Sequence, residues 1–118
     1  MKLKCGLIMK QFLRCLKDHR FVIPYCSRCG SPVWPPVEKC YNCTFKVKLK
    51  RIKAPQGHLI EHTTAYTICG PVMFGVIDID GIKLVGSLRP STMPQVGMSV
   101  KMVNCGLSSD DTPFYEFE

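Results

Sequence analysis

Between Leu7 and His19, Ile8, Phe12 and Leu16 recur at intervals of four with Met9 and Leu13 beside them, while Lys10, Arg14 and Lys17 fall elsewhere. A stripe of that period predicts an amphipathic helix. Residues 20–43 lose the period. They are rich in Cys, Pro and Gly with only short apolar pieces, which predicts a loop region that has no core of its own and must be organised by a metal. From Phe45 the period becomes two: Phe45, Val47 and Leu49 alternate with Lys46, Lys48 and Lys50, and a run rich in β-branched residues extends from His58 to Ile68. Both read as strands.

Asp80-Gly81 separates Val72–Ile79 from Ile82–Leu88, and a two-residue turn of that type closes a hairpin because glycine takes positive φ without strain. The register then pairs Ile79 with Ile82, Ile77 with Leu84 and Gly75 with Gly86 on one face, and Asp78 with Lys83 and Val76 with Val85 on the other. Facing glycines predict a bend or a close approach. Val100–Val103 after Gly97-Met98, and Phe114–Phe117, add two short strands. Five or six short strands fit a small barrel. No internal repeat is visible in the sequence.

Charge divides the chain. Residues 1–53 carry thirteen Lys and Arg against Asp18 and Glu38, net +11, whereas residues 54–118 carry three against seven acids, net −4. A basic first half suits an acidic partner, a phosphate-bearing ligand or nucleic acid. Lys46, Lys48 and Lys50 form its most regular row, a candidate contact for a ligand or partner. Nucleic-acid binding would also need aromatic platforms, for which Tyr66 and Phe74 are the best placed. The longest apolar stretches, Leu7–Met9 and Val72–Ile77, fall far short of the ~18 residues of a membrane span. The start Met1-Lys2-Leu3-Lys4-Cys5 resembles a signal peptide, but Lys10 and Arg14 break its apolar run. An uncleaved, cytoplasmic chain is expected.

Eight cysteines in such a chain point to metal ligands and buried thiols rather than disulfides. Cys26-Ser27-Arg28-Cys29 and Cys40-Tyr41-Asn42-Cys43 are two C-x-x-C pairs ten residues apart, able to fold back and close one tetrahedron of sulfur. Four thiolates suit Zn²⁺, with iron as a possible substitute, and leave no open position for water or substrate, which makes the expected site structural. Gly30 allows the tight turn after the first pair; Thr44 follows the second, a less suitable residue. Cys5, Cys15, Cys69 and Cys105 lack paired spacing and read as small core residues.

His58-Leu59-Ile60-Glu61-His62 matches H-x-x-E-H, a zinc-protease pattern on a helix. Here it lies in a strand-like run, where residues four apart are about 13 Å from each other. Both histidines are expected to be ordinary, solvent-facing strand residues, and no catalytic residue is assigned.

The order of a helix, C-x-x-C-G, a proline pair, a second C-x-x-C and a β-region with Gly-Met-x-Val before a late strand resembles a known family. This is the acyl-CoA-associated zinc-ribbon and OB-fold family, domain of unknown function thirty-five. The residues that carry the likeness are Cys26, Cys29, Gly30, Pro35, Pro36, Cys40, Cys43, Gly57, Gly97, Met98 and Val100. The resemblance implies a mainly β protein with an N-terminal helical segment (1–20), a rubredoxin-like zinc ribbon (21–44) and a small OB-fold barrel (45–118). It also implies a non-catalytic accessory subunit that bridges thiolase and hydroxymethylglutaryl-CoA synthase type enzymes and supports transfer of acetoacetyl-CoA, with CoA or acyl-CoA a possible contact. A nucleic-acid-binding ribbon-and-barrel protein is the alternative.

Overall fold

A computed structural model of the chain describes residues 7–43, 45–89 and 93–118. Two units emerge, Met1–Lys53 and Ala54–Glu118. In the first, helix α1 spans Leu7–Lys17 and buries the stripe of Ile8, Phe12 and Leu16. Its first turn has no acidic residue of its own. Glu38, thirty residues on, supplies the missing carboxylate: the Ile8 amide donates to Glu38 Oε1 at 2.7 Å, which satisfies one of the helix's unpaired N–H groups and sets negative charge at the positive end of its dipole.

The helix ends where His19 adopts φ 59°. The Arg20 amide donates to the Cys15 carbonyl and the His19 amide to the Leu16 carbonyl, both at 2.9 Å, the paired bonds of a Schellman cap with histidine where glycine is usual. Strands β1 (Val22–Cys26) and β2 (Val47–Arg51) then pair antiparallel, from Val22 opposite Arg51 to Cys26 opposite Val47. Cys26, Cys40, Val33 and Val47 pack with Ile8 of the helix into one cluster. Phe12 meets the Trp34 ring edge-on, centroids 5.4 Å apart.

The second unit is a closed barrel of β3 (Gln56–Thr67), β4 (Gly70–Ile79), β5 (Ile82–Leu88), β6 (Ser99–Leu107) and β7 (Pro113–Phe117) in the order β3-β4-β5-β7-β6, with β6 returning to β3. All neighbours are antiparallel except β5 and β7. This is the five-stranded OB arrangement. Leu59, Ile77, Ile79, Leu84, Val100 and Phe117 fill its interior.

The β4–β5 hairpin has the expected register at every pair, with Asp80 at φ 51° and Gly81 at φ 90° in the turn. The facing glycines mark a close approach. A Cβ on Gly75 would sit 2.6 Å from Leu59 Cδ1, and one on Gly86 2.6 Å from Phe117 Cδ2 and 2.8 Å from the Tyr115 carbonyl.

Three expectations are corrected. The basic strand does not enter the barrel: β2 pairs with β1, so the barrel begins after Lys53 rather than at 45. Alternation identifies a strand but not its partner, and β1's apolar face takes Val47 and Leu49. Residues 22–26, read as loop, are that partner strand. The C-x-x-C segment also shares a core after all, supplied by α1 and β2.

Two outcomes are expected. Glu38→Ala should cost the ribbon unit about 1 kcal/mol, with Glu38→Gln losing less because it keeps an acceptor; urea denaturation followed by the fluorescence of Trp34, the one tryptophan, measures it. Gly86→Ala should destabilise the barrel by about 2 kcal/mol, because the added methyl meets a backbone carbonyl and a fully buried ring that cannot withdraw; amide exchange of β5 and β7 reads the loss.

Candidate metal centre and basic face

The two C-x-x-C pairs sit on knuckles built to one plan. The Cys26 amide donates to the Ser31 carbonyl and the Cys40 amide to the Phe45 carbonyl, both at 2.9 Å; Val33 donates to Pro24 and Val47 to Glu38 in the same way. Isolated bridges join Tyr25 to Pro32 and Lys39 to Lys46. Every partner in the second knuckle lies fourteen residues after its counterpart in the first. This is an internal structural repeat, and it went unseen in the sequence because the cysteines and one buried valine are nearly all it conserves. Gly30 turns the first knuckle at φ 72°; Thr44, its counterpart, lies outside the described residues.

The four sulfurs of Cys26, Cys29, Cys40 and Cys43 lie within 4.8 Å of one another. Cys29 Sγ is 3.2 Å and Cys26 Sγ 3.4 Å from Cys43 Sγ. A tetrahedral ion with bonds of about 2.3 Å requires sulfurs about 3.8 Å apart, so the tetrad fits one metal ion with small side-chain rotations. Backbone amides already serve the sulfurs: Cys29 N–H donates to Cys26 Sγ at 3.3 Å and Asn42 N–H to Cys40 Sγ at 3.4 Å. The first of these, chiefly, draws the Cys26 thiol down to about 7. Cys29, hydrogen-bonded first to Cys43 and then to Cys26, is pushed up to about 12. Crowded thiolates repel, and a cation among them removes that penalty.

Lys46, Lys48 and Lys50 are exposed and share one face of the ribbon. No carboxylate pairs with them among the described residues. Lys46 stands opposite Lys39, a like-charge pair, and Lys48 stands opposite Tyr25. Tyr25, half-buried, is the aromatic side chain in register with the basic row. Sequence reasoning missed it because its strand was missed. Tyr66 and Phe74 belong to the barrel instead, Tyr66 almost wholly exposed.

His58 and His62 lie exposed on β3, opposite Asp78 and Gly75. Of the unpaired-spacing cysteines, Cys105 is buried in the barrel, where burial pushes its thiol up; Cys15 is half-buried. Cys69 is corrected: it sits exposed in the β3–β4 turn, where no core exists to receive it. Cys5 lies outside the described residues. Two open cavities line the barrel wall, one of about 240 Å³ beside Glu61, His62 and Phe74, the other of about 450 Å³ beside Met73, Leu88 and Arg89. Among the described residues no helix is long and apolar enough to cross a membrane.

A cysteine tetrad on paired knuckles, followed in the chain by a five-stranded barrel, defines a zinc-ribbon and OB-fold protein. Residues 16–46 match the family described as ChsH2, rubredoxin-like zinc ribbon domain. The ribbon segment thus matches that family's model, and the fold of the whole chain is one seen in DUF35 proteins, DUF35 being domain of unknown function thirty-five. Its structure is similar to that of the Ltp2-ChsH2(DUF35) aldolase, with a TM-score of 0.76 and 18% identity over 98% of this chain and 97% of that one. It is also similar to a DUF35-family protein of unknown function from Sulfolobus solfataricus, with a TM-score of 0.67 and 20% identity over 96% of this chain and 87% of that one. No curated protein matches the sequence.

Purified chain is expected to carry about one metal equivalent, read by elemental analysis. Cys40→Ser should abolish retention and unfold the ribbon unit while the β4–β5 amides of the barrel keep their exchange protection, since metal-binding energy is folding energy only for the segment it organises.

Proposed function

We propose that the chain is a non-catalytic accessory subunit of an acyl-CoA enzyme assembly in the cytoplasm. It bridges thiolase and hydroxymethylglutaryl-CoA synthase type enzymes and supports transfer of acetoacetyl-CoA between them. The observation that carries this reading is the likeness along nearly the whole chain to a protein named for an Ltp2-ChsH2(DUF35) aldolase. The tetrad supports it: four protein sulfurs fill a tetrahedral sphere, so a metal there, Zn²⁺ in this reading with iron as the substitute, braces the fold and offers no position to substrate. Two enzymes held on one short bridge gain effective concentration without a new catalytic group, which matters most when the shared intermediate is scarce.

Lys46, Lys48 and Lys50 are the residues this reading assigns to an acidic partner surface or to CoA phosphates. A second reading, nucleic-acid binding, draws on Tyr25 standing opposite Lys48, a ring beside a row of cations.

Sedimentation and a coupled condensation assay, with and without this chain, separate the readings. One heavier particle and raised flux are expected, with no turnover by the chain alone; unchanged mass and flux would refute the bridge. Lys46→Glu with Lys48→Glu should weaken partner binding about tenfold at low salt and leave thermal stability nearly unchanged, because exposed strand lysines contribute little to folding. Retention of single-stranded oligonucleotide by the parent, lost in the double variant, would favour the second reading.

A further inference from the structure

The β3–β4 hairpin is longer than the barrel needs. Pairing of β3 with β6 covers Gln56 to His58 only, and the bonds of Leu59 with Gly97 and Met98 end that ladder. On the other side, β5 leaves β4 at Met73. From Ile60 to Thr67 the outer edge of β3 therefore has no strand beside it among the described residues, and every residue there is exposed except half-buried Ala65. Such an edge is ordinarily guarded by lysine, proline or a short length. This one holds no lysine, arginine or proline in eight residues, and its only charged carboxylate is Glu61. Within this segment Tyr66 is 87% exposed, and just beyond it Ile68 is 105% exposed.

Two exposed isoleucines, Ile60 and Ile68, lie four residues on either side of Thr64. The backbone agrees with that centre. Thr67 and Gly70 close a two-residue turn, and such a turn is closed by a hydrogen-bonded pair. Thr67, Ala65, Thr63 and Glu61 thus direct their N–H and C=O groups at β4, and His62, Thr64 and Tyr66 direct theirs outward. An antiparallel copy centred on Thr64 sets outward groups against outward groups. Thr64 meets the partner's Thr64, His62 meets the partner's Tyr66, and Glu61 meets the partner's Thr67, so no like charges face each other. Ile68 at the turn reaches toward the partner's Ile60, joining two exposed apolar side chains.

We infer that the outer edge of β3 pairs antiparallel with the same edge of a second copy of this chain, about a two-fold axis at Thr64. The contact is isologous and closed, giving a dimer rather than a filament. It stands apart from the bridging role and holds whichever enzymes the chain serves.

Sedimentation equilibrium of the full, metal-loaded chain over a wide concentration range tests it. A reversible rise from 13.3 kDa to twice that mass is expected. Thr64→Lys, which places two ammoniums on the axis, should weaken dimerisation about tenfold, whereas Thr64→Val should preserve or tighten it. Both variants must melt like the parent, since Thr64 is exposed. Amide exchange adds a residue-level readout: His62, Thr64 and Tyr66 gain protection as dimer forms, and Thr63 and Ala65, already bonded to β4, do not change. A monomer at all concentrations overturns the inference. So does a dimer indifferent to Thr64→Lys, or protection of these amides only when a different protein is added.

Discussion

The ribbon is arranged around four sulfurs that lie within 4.8 Å of one another. Each C-x-x-C must turn its backbone tightly enough to aim two sulfurs at one point, and that turn leaves amides pointing inward that nothing but sulfur or a nearby carbonyl can accept. The solution is used twice, with Cys26 and Cys40 each donating to a carbonyl five residues on. Because those bonds run between main-chain atoms, side chains between the cysteines are free to differ. Val33 and Val47, in equivalent places, are both buried. The hydrophobic cluster then forms around the knuckles, and Glu38 fastens the helix to it through a single carboxylate.

The barrel obeys a different constraint, that of closing five strands around a narrow interior. Gly57 would put a Cβ 2.7 Å from Ile77 Cγ2, and Gly86 has Phe117 in the same relation. At both places a large side chain from a neighbouring strand fills the volume that the missing side chain leaves. Small beside large is how a barrel of this size packs without a void.

Local rules were legible in the sequence and distant ones were not. The β4–β5 register follows from a two-residue turn and an alternation that begins on either side of it, so the five pairs read from Asp80-Gly81 outward all occur. The tetrad was legible because its spacing carries the chemistry. The destination of β2 was not, because Val47 and Leu49 describe only a strand with one apolar face, and both β1 and the barrel wall offered one. The same holds for the Ile8–Glu38 bond, which joins residues thirty apart, and for Tyr25, hidden in a segment whose cysteines and prolines masked a five-residue strand. His19 at positive φ was invisible for another reason: nothing marks a helix end when glycine is not the residue that turns it.

The place of β7 has a consequence for how the molecule is made. It is inserted between β5 and β6, parallel to one and antiparallel to the other, and Phe117 pairs with both Leu88 and Met102 while filling the interior. The ribbon's last strand, by contrast, ends at Arg51. On a ribosome the ribbon unit therefore has all its strands available while the barrel is still an open sheet with two unpaired edges. The barrel must wait for Phe117 to leave the exit tunnel, and until then its nascent strands depend on speed or on a chaperone to avoid neighbours of their own kind.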